Sequence, residues 1–254
     1  MRTILAYLAA AIFTPLISSA VIVCGFLRLK DRPGSIFDRA PRVWSRILLA
    51  ASGVHVEVHG GEHRHGSQHI FVGNHVSWFD VFAMAAHLRW FKFVAKAELF
   101  RIPLFGRAMR FAGMIAIDRK NQKSAHGSIR EAADRIHEGA SVILFPEGTR
   151  GHSYALRPFK KGAFVLAIEA QAPVVPVAIH GTIAVQPKGQ IRVRPGRIHV
   201  HFLAPIVTEG MAYGDRDALA RLAYARIAEC LASEYGVTSP VLAERNAGSE
   251  APAK

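Results

Sequence analysis

A chain of 254 residues, half of them apolar, is long enough to bury a sizeable core in one large domain and too apolar to be an intrinsically disordered protein. Its 32 Lys and Arg against 19 Asp and Glu give +13 at pH 7, which suits nucleic acid, an anionic bilayer or a phosphorylated substrate without choosing among them. The two cysteines, Cys24 and Cys230, form no spaced pair, so the pattern gives neither a disulfide framework nor a Cys-based zinc site.

From Thr3 to Leu27 there is no charged residue, and about 20 apolar residues suffice to cross a bilayer. A membrane-anchoring helical segment is expected. A cleaved signal peptide competes, with Ser18-Ser19-Ala20 as its cleavage site, but the apolar run continues past it. Pro15 falls mid-segment and predicts a kink or break, leaving a bent span and a shallow two-helix hairpin both open. Arg28, Lys30 and Arg32 outnumber the single Arg2 in front, which puts the rest of the chain on the cytoplasmic face of the inner membrane. A joint from Asp31 to Ser35 leads to Pro41 through Ala51, where Val43, Trp44, Ile47, Leu48 and Leu49 among Arg42, Ser45 and Arg46 predict an amphipathic helix lying on the membrane surface.

Beyond Val54 short β-rich runs alternate with helical stretches. Val54–Val58, His69–Val72, Phe91–Val94, Met114–Ile117, Val142–Phe145, Val174–Ile179, Ile191–Val193 and Ile198–Phe202 read as strands. Phe79–Leu88, Gln122–His137 and Lys161–Ala170 read as helices between them. The alternation predicts an α/β domain with a mixed, partly parallel sheet flanked by helices. A last helix, Asp215 to Tyr235, sets Leu219, Leu222, Ala223, Ile227 and Leu231 on one face and stops at Gly236. The expected layout is an N-terminal membrane-associated segment (1–52), the α/β domain (53–236) and a disordered tail (237–254). Histidines cluster in His63-Arg64-His65-Gly66-Ser67-Gln68-His69, but only Glu62 stands nearby as a further ligand, which favours a solvated turn over a metal site.

No nucleophile elbow, P-loop, dinucleotide fingerprint or C-x-x-C motif is present. Instead, Asn74-His75-Val76-Ser77-Trp78-Phe79-Asp80 sits where a strand gives way to a helix, a junction that hosts active sites in α/β sheets. An acid five residues after His75 can fold back on the imidazole, fix its tautomer and stabilise the charged ring, making a general base; a turn histidine with a helix-capping Asp is the bland alternative. Phe145-Pro146-Glu147-Gly148-Thr149-Arg150 ends another apolar strand with backbone N–H groups, a hydroxyl and a guanidinium fork suited to a phosphate or carboxylate, or else forms a turn with a salt bridge. Gly113 to Arg119 likewise delivers an arginine at a strand end, and Lys120 and Lys160-Lys161-Gly162 add positive charge.

Taken in order, these blocks resemble the lysophosphatidate acyltransferases (1-acylglycerol-3-phosphate acyltransferases) of the glycerolipid acyltransferase group. The Asn-His, four-residue gap, Asp block is matched at Asn74 to Asp80, and the Gly-to-Arg block at Gly113 to Arg119. The Phe-Pro-Glu-Gly-Thr-Arg block is matched at Phe145 to Arg150, and the Val-Pro-Val-Ala-Ile block at Val175 to Ile179. Gly151 stands where many members have Ser. The resemblance implies acyl transfer from acyl-CoA or acyl carrier protein to lysophosphatidate at a bilayer surface, with no cofactor, no metal and no nucleic-acid partner. It implies His75 as base and Asp80 as its support. Arg119, Glu147, Gly148, Thr149 and Arg150 would hold the acceptor's glycerol phosphate. Glu147, a carboxylate beside a phosphate, is expected to buttress an arginine or bond a glycerol hydroxyl. Another lysophospholipid, a lyso-ornithine lipid or glycerol 3-phosphate as acceptor stays open, and a non-catalytic basic module is the distant alternative.

Overall fold

A computed structural model of the chain describes residues 1–66, 68–118 and 122–240, leaving aside the side chains of residues 122–126. Seven strands among these residues form one sheet: β1 (Val54–His59), β2 (Ile70–Gly73), β3 (Phe91–Lys96), β4 (Ile115–Ile117), β5 (Ser141–Leu144), β6 (Val174–His180) and β7 (Gly196–Phe202), in the order β1-β7-β6-β2-β5-β3-β4. Every neighbouring pair is parallel except β6 and β7. Ile70, Phe71 and Val72 of β2 are buried on both faces, as the continuous apolar run of a central parallel strand requires.

The helices are α1 (Arg2–Phe26), α2 (Ile36–Ser52), α3 (Trp78–His87), α4 (Phe105–Phe111), α5 (Gln122–His137), α6 (Gly162–Glu169), α7 (Thr182–Val185) and α8 (Arg216–Tyr235). On one side of the sheet, Val21 and Ile22 of α1, Phe37 and Leu49 of α2 and Met84 of α3 share a core with Phe71, Ile143 and Val175. On the other, Ile136, Phe164, Leu166 and Leu219 of α5, α6 and α8 pack with Ile70, Val72 and Val142. The result is a three-layer α/β/α arrangement in which the N-terminal helices are part of the main core.

Several expectations change. The N-terminal helix runs unbroken through Pro15. Helix α2 is bonded to it there, Trp44 Nε1 donating to Thr14 Oγ1 at 2.9 Å, one residue before the proline. Arg2 lies against Gly53 at the far end of α2, so α1 and α2 run antiparallel, and the hairpin joins these two helices instead of the two halves of α1. Leu48 and Leu49 of α2, expected at a membrane surface, are buried, because the helix lies in contact with α1 and α3. Ile191–Val193 is not a strand: Thr3 Oγ1 takes the Val193 N–H and donates to the Val193 carbonyl, both at 3.0 Å, satisfying backbone groups a strand partner would have used. Leu222 of α8 is exposed, and Tyr224 takes the buried position, its hydroxyl donating to the Pro240 carbonyl at 2.8 Å, with the Leu156 carbonyl at 3.2 Å. Gly236 ends α8 in the left-handed conformation, φ 66°, as expected. Ser239, placed in the tail, accepts the Leu156 N–H, while residues 241–254 lie outside the described residues. Helix α4 has no counterpart in the sequence reading.

The joint between α1 and α2 is fixed by a buried lysine on β3. Lys92 Nζ donates to Asp31 Oδ2 at 2.6 Å and to the Ala112 carbonyl at 2.9 Å, and burial pulls its ammonium below the ordinary lysine value against the opposing pull of Asp31. Replacing Asp31 with Ala strands that charge. Removing one partner of a buried pair costs about 3–5 kcal/mol, and the partial exposure of Asp31 puts the expected loss near the low end. Thermal unfolding should fall by about 6–12 °C, and limited proteolysis should cut between Leu27 and Ser35 sooner than in the parent chain.

Candidate active site

Strands β2 and β5 are parallel neighbours, so the segments that leave their C-terminal ends emerge side by side. From β2 come Asn74 to Asp80; from β5 come Phe145 to Arg150. Asn74 is completely buried and its amide pairs both ways with Ile179, Nδ2 donating to the carbonyl at 2.9 Å and Oδ1 accepting the N–H at 2.8 Å. This extends β2 by one residue against β6 and ties the first block to the Val-Pro-Val-Ala-Ile block.

The turn after Asn74 becomes α3 through a reciprocal cap. Ser77 Oγ accepts the Phe79 N–H at 3.2 Å and donates to the Gln186 carbonyl at 2.7 Å, while the Asp80 side chain reaches back to the Ser77 N–H. Asp80 does more than cap. Its Oδ2 accepts three bonds, from the N–H groups of Val76 at 2.7 Å and Ser77 at 2.8 Å and from His75 Nδ1 at 2.8 Å. With an ionised Asp80, Nδ1 carries the ring proton and Nε2 is left as a base. The Asp80 side chain is fully buried, while that of His75 keeps 14% exposure. The His75 ring stacks on Phe145 at 4.2 Å and 18°, which fixes its plane.

Both main-chain groups of His75 bond to the segment that leaves β5: its N–H donates to Glu147 Oε1 at 2.8 Å, and its carbonyl accepts the Gly151 N–H at 2.7 Å. Glu147 is buried, and its other oxygen accepts from Arg157 Nε at 3.0 Å. Burial raises the Glu147 carboxyl above its ordinary value, and the bonds from His75 and Arg157 oppose the shift. The structure thus places Glu147 behind the loop, buttressing Arg157, with each oxygen already occupied. Arg157, which also donates to the Thr149 carbonyl, was not singled out in the sequence; it lies seven residues past the motif and carried no spacing signal. Gly148 has φ +81° and packs on the Lys160 side chain, a conformation few side chains tolerate.

Arg150 turns forward, its guanidinium 4.8 Å above the Trp78 ring. Burial lowers its pKa, and the Asp80 carboxylate opposes the shift. His75, Gly148, Thr149 and Arg150 border a cavity of about 730 Å³. Its other walls are mainly apolar side chains of α1 to α4 and β3, among them Val21, Leu48, Phe82 and Met109. Lys188 borders the same cavity and donates to the Arg150 carbonyl at 2.9 Å, a second cation that no motif marked. Of the sequence-predicted residues, His75, Asp80, Glu147, Gly148, Thr149 and Arg150 are gathered here. Arg119 lies outside the described residues; Ile117, where β4 ends, shares a smaller cavity of about 210 Å³ with Gly148 and Lys160. Lys161 instead pairs with Asp217 of α8.

Residues 55–180, which carry all four blocks, match the family described as Acyltransferase. The chain belongs to the acyltransferase family. This family member is 39% identical over 169 residues, 64% of its length, to a 1-acyl-sn-glycerol-3-phosphate acyltransferase of Limnanthes alba. It is 39% identical over 171 residues, 66% of its length, to 1-acyl-sn-glycerol-3-phosphate acyltransferase alpha of Ovis aries. The matched segments span 58% and 60% of those two proteins. Its fold matches the crystal structure of the 1-acyl-sn-glycerophosphate (LPA) acyltransferase PlsC from Thermotoga maritima with a TM-score of 0.77, covering 94% of this chain and 97% of that one at 24% identity.

Glu147→Gln isolates the buttress, because the amide still offers an oxygen to His75 N–H but turns an NH₂ toward Arg157. We expect a stability loss of about 1–3 kcal/mol by thermal unfolding, from the lost charge-assisted bond. Acyl transfer should fall by at least about tenfold as the His75 backbone shifts. Unchanged transfer in a destabilised variant would separate the buttress from the geometry of the base.

Proposed function

We propose that this chain transfers a fatty acyl group from acyl-CoA or acyl carrier protein to the sn-2 hydroxyl of 1-acyl-sn-glycerol 3-phosphate, giving phosphatidate. The observation that carries this reading is the His75–Asp80 pair at the rim of a large apolar cavity, with Arg150 beside it. The names of its relatives support the choice of acceptor.

A thioester brings its own leaving group, so the reaction needs no enzyme nucleophile and no resident cofactor. The acceptor hydroxyl attacks the thioester carbonyl while His75 Nε2 takes its proton, a step worth about 10²–10⁴-fold for a positioned base. Asp80 Oδ2 holds the Nδ1–H and stabilises the imidazolium. Collapse of the tetrahedral intermediate forms the ester, breaks the C–S bond and returns the proton from Nε2 to the departing thiolate. Arg150, and Arg119 by the resemblance, hold the acceptor phosphate; Gly148 and Thr149 shape the loop that presents it. The apolar walls take acyl chain.

Membrane association follows from the outer face of α1, where Ile4, Leu8, Ile12, Leu16 and Val23 are exposed while Ala6, Ala9, Val21 and Ile22 pack inward. Arg2 lies against Gly53 and Phe26 packs on Phe111, so the helix is docked at both ends. A helix held this way fits insertion of one face into a single leaflet, with the net charge of +13 favouring anionic headgroups at the cytoplasmic face.

The test is product analysis. Purified chain in phospholipid vesicles, offered lysophosphatidate, other lysophospholipids, lyso-ornithine lipid and glycerol 3-phosphate with each donor, should acylate lysophosphatidate best. Preference for another acceptor overturns the assignment of substrate, and transfer to none overturns the enzyme. Arg150→Lys keeps the charge but loses the planar fork, so kcat/KM for the acceptor should fall about 5- to 150-fold, mainly through KM, with the donor KM unchanged. A defect confined to the donor would move Arg150 to the carrier's phosphates.

A further inference from the structure

The other side of the sheet carries a second cluster of chemistry-bearing side chains. Strand periodicity puts Val54, Val56 and Val58 of β1, and Ile198, Val200 and Phe202 of β7, against the core shared with α1 to α3. Glu57 and His59 on β1 and His199 and His201 on β7 therefore face the opposite side. Helix α8 covers β6 there, with Tyr224, Ile227 and Leu231 packed on Ala178, and ends at Tyr235, whose ring reaches His201 and the edge of His199 on β7, leaving Glu57 and His59 of β1 beyond the helix.

The parallel register sets Glu57 directly opposite His199 and His59 opposite His201. His59 Nε2 lies 3.3 Å from His199 Nδ1, and that same nitrogen lies 3.3 Å from Glu57 Oε2. All three ligand atoms fall within 4.8 Å of one another. A metal bound tetrahedrally at 2.0–2.1 Å holds its ligand atoms about 3.3–3.4 Å apart, so two of the three edges already have that length. The ligands are also supported. Glu57 Oε1 accepts from Arg197 Nη1 at 2.8 Å, leaving Oε2 toward the imidazoles. His201 stacks on His59 at 4.2 Å and 11°, and its own Nε2 is engaged with the Tyr235 hydroxyl at 2.6 Å, so it fixes the His59 ring plane.

We propose that Glu57, His59 and His199 bind a zinc-class divalent transition metal, with a fourth position open to water. Two imidazoles and one carboxylate suit Zn²⁺, Ni²⁺ or Cu²⁺, whereas Mg²⁺ and Ca²⁺ require oxygen ligands. The ion joins β1, which pairs only with β7, to its single neighbour, and any ion that binds the folded chain alone stabilises it. These ligands come from two strands about 140 residues apart and meet only through the register, so no local spacing in the sequence marks them, unlike the His63–His69 turn.

The full chain, made without a histidine tag and stripped with chelator, is titrated with Zn²⁺ by calorimetry and with Co²⁺ by visible absorption. One ion per chain with micromolar affinity, the intense absorption of four-coordinate Co²⁺ and a rise in unfolding temperature are expected. Separate His59→Gln and His199→Gln variants should bind at least about 30-fold more weakly, with His63→Gln unaffected. No saturable uptake below about 100 μM in the parent chain overturns the proposal whether or not any variant folds, since that is weaker than about −5.5 kcal/mol. Unchanged affinity in the folded strand variants, or loss in His63→Gln alone, overturns it too.

Discussion

A carboxylate withdrawn completely from water must find donors inside the protein, and Asp80 finds all of its donors in the turn that precedes it. Two main-chain N–H groups and one imidazole nitrogen converge on Oδ2, while the buried Oδ1 takes no hydrogen bond. The same atom thus caps α3, closes the turn after β2 and sets the His75 tautomer. Helix start and the proposed general base share one structure, so a capping Asp and the proposed catalytic role of the pair are compatible. The cap supplies the rigidity that a positioned base requires.

The second constraint is the adjacency of β2 and β5. Their parallel pairing delivers two loops to one place, and those loops are then laced by the main chain of His75 to Glu147 and Gly151. Asn74 adds β6 to the same assembly through its amide. Three of the four sequence blocks are therefore joined by bonds that involve backbone, which keeps the ring of His75 fixed while Arg150 and Lys188 face the cavity. The apolar cavity exists because α1 and α2 fold back over α3, with Lys92 and Asp31 holding the joint between them.

Much of this was legible because central parallel strands are short apolar runs with sharp ends. The inner strands β2, β5 and β6 coincide with such runs, β1 and β7 with alternating apolar and polar residues, and His75 and Asp80 were legible together from their spacing at the end of β2. What the sequence hid depends on distant partners. Ile191–Val193 has a strand's composition, but Thr3 took its backbone groups. Pro15 left a kink or a break open, and the helix continues through it beside a bond from Trp44 of α2 to Thr14. Arg157 and Lys188 carry no motif, and only the fold sets one behind Glu147 and the other beside Arg150. Glu147, a carboxylate expected beside a phosphate, is buried and bonded to the His75 N–H and to Arg157, partners that its sequence neighbourhood did not indicate.

The central claim is that Asp80 holds and charges the base. Asp80→Asn keeps the size of the side chain and an acceptor for the turn N–H groups while removing the negative charge that supports protonated His75. Single-turnover acyl transfer to lysophosphatidate, measured in vesicles at saturating donor beside thermal unfolding of the same variant, tests it directly. The account predicts a fall in rate of about 10²–10⁴-fold with the variant still folded at the assay temperature. Transfer within about threefold of the parent chain, which corresponds to less than about 0.7 kcal/mol in the barrier, would contradict it and leave Asp80 as a helix cap alone.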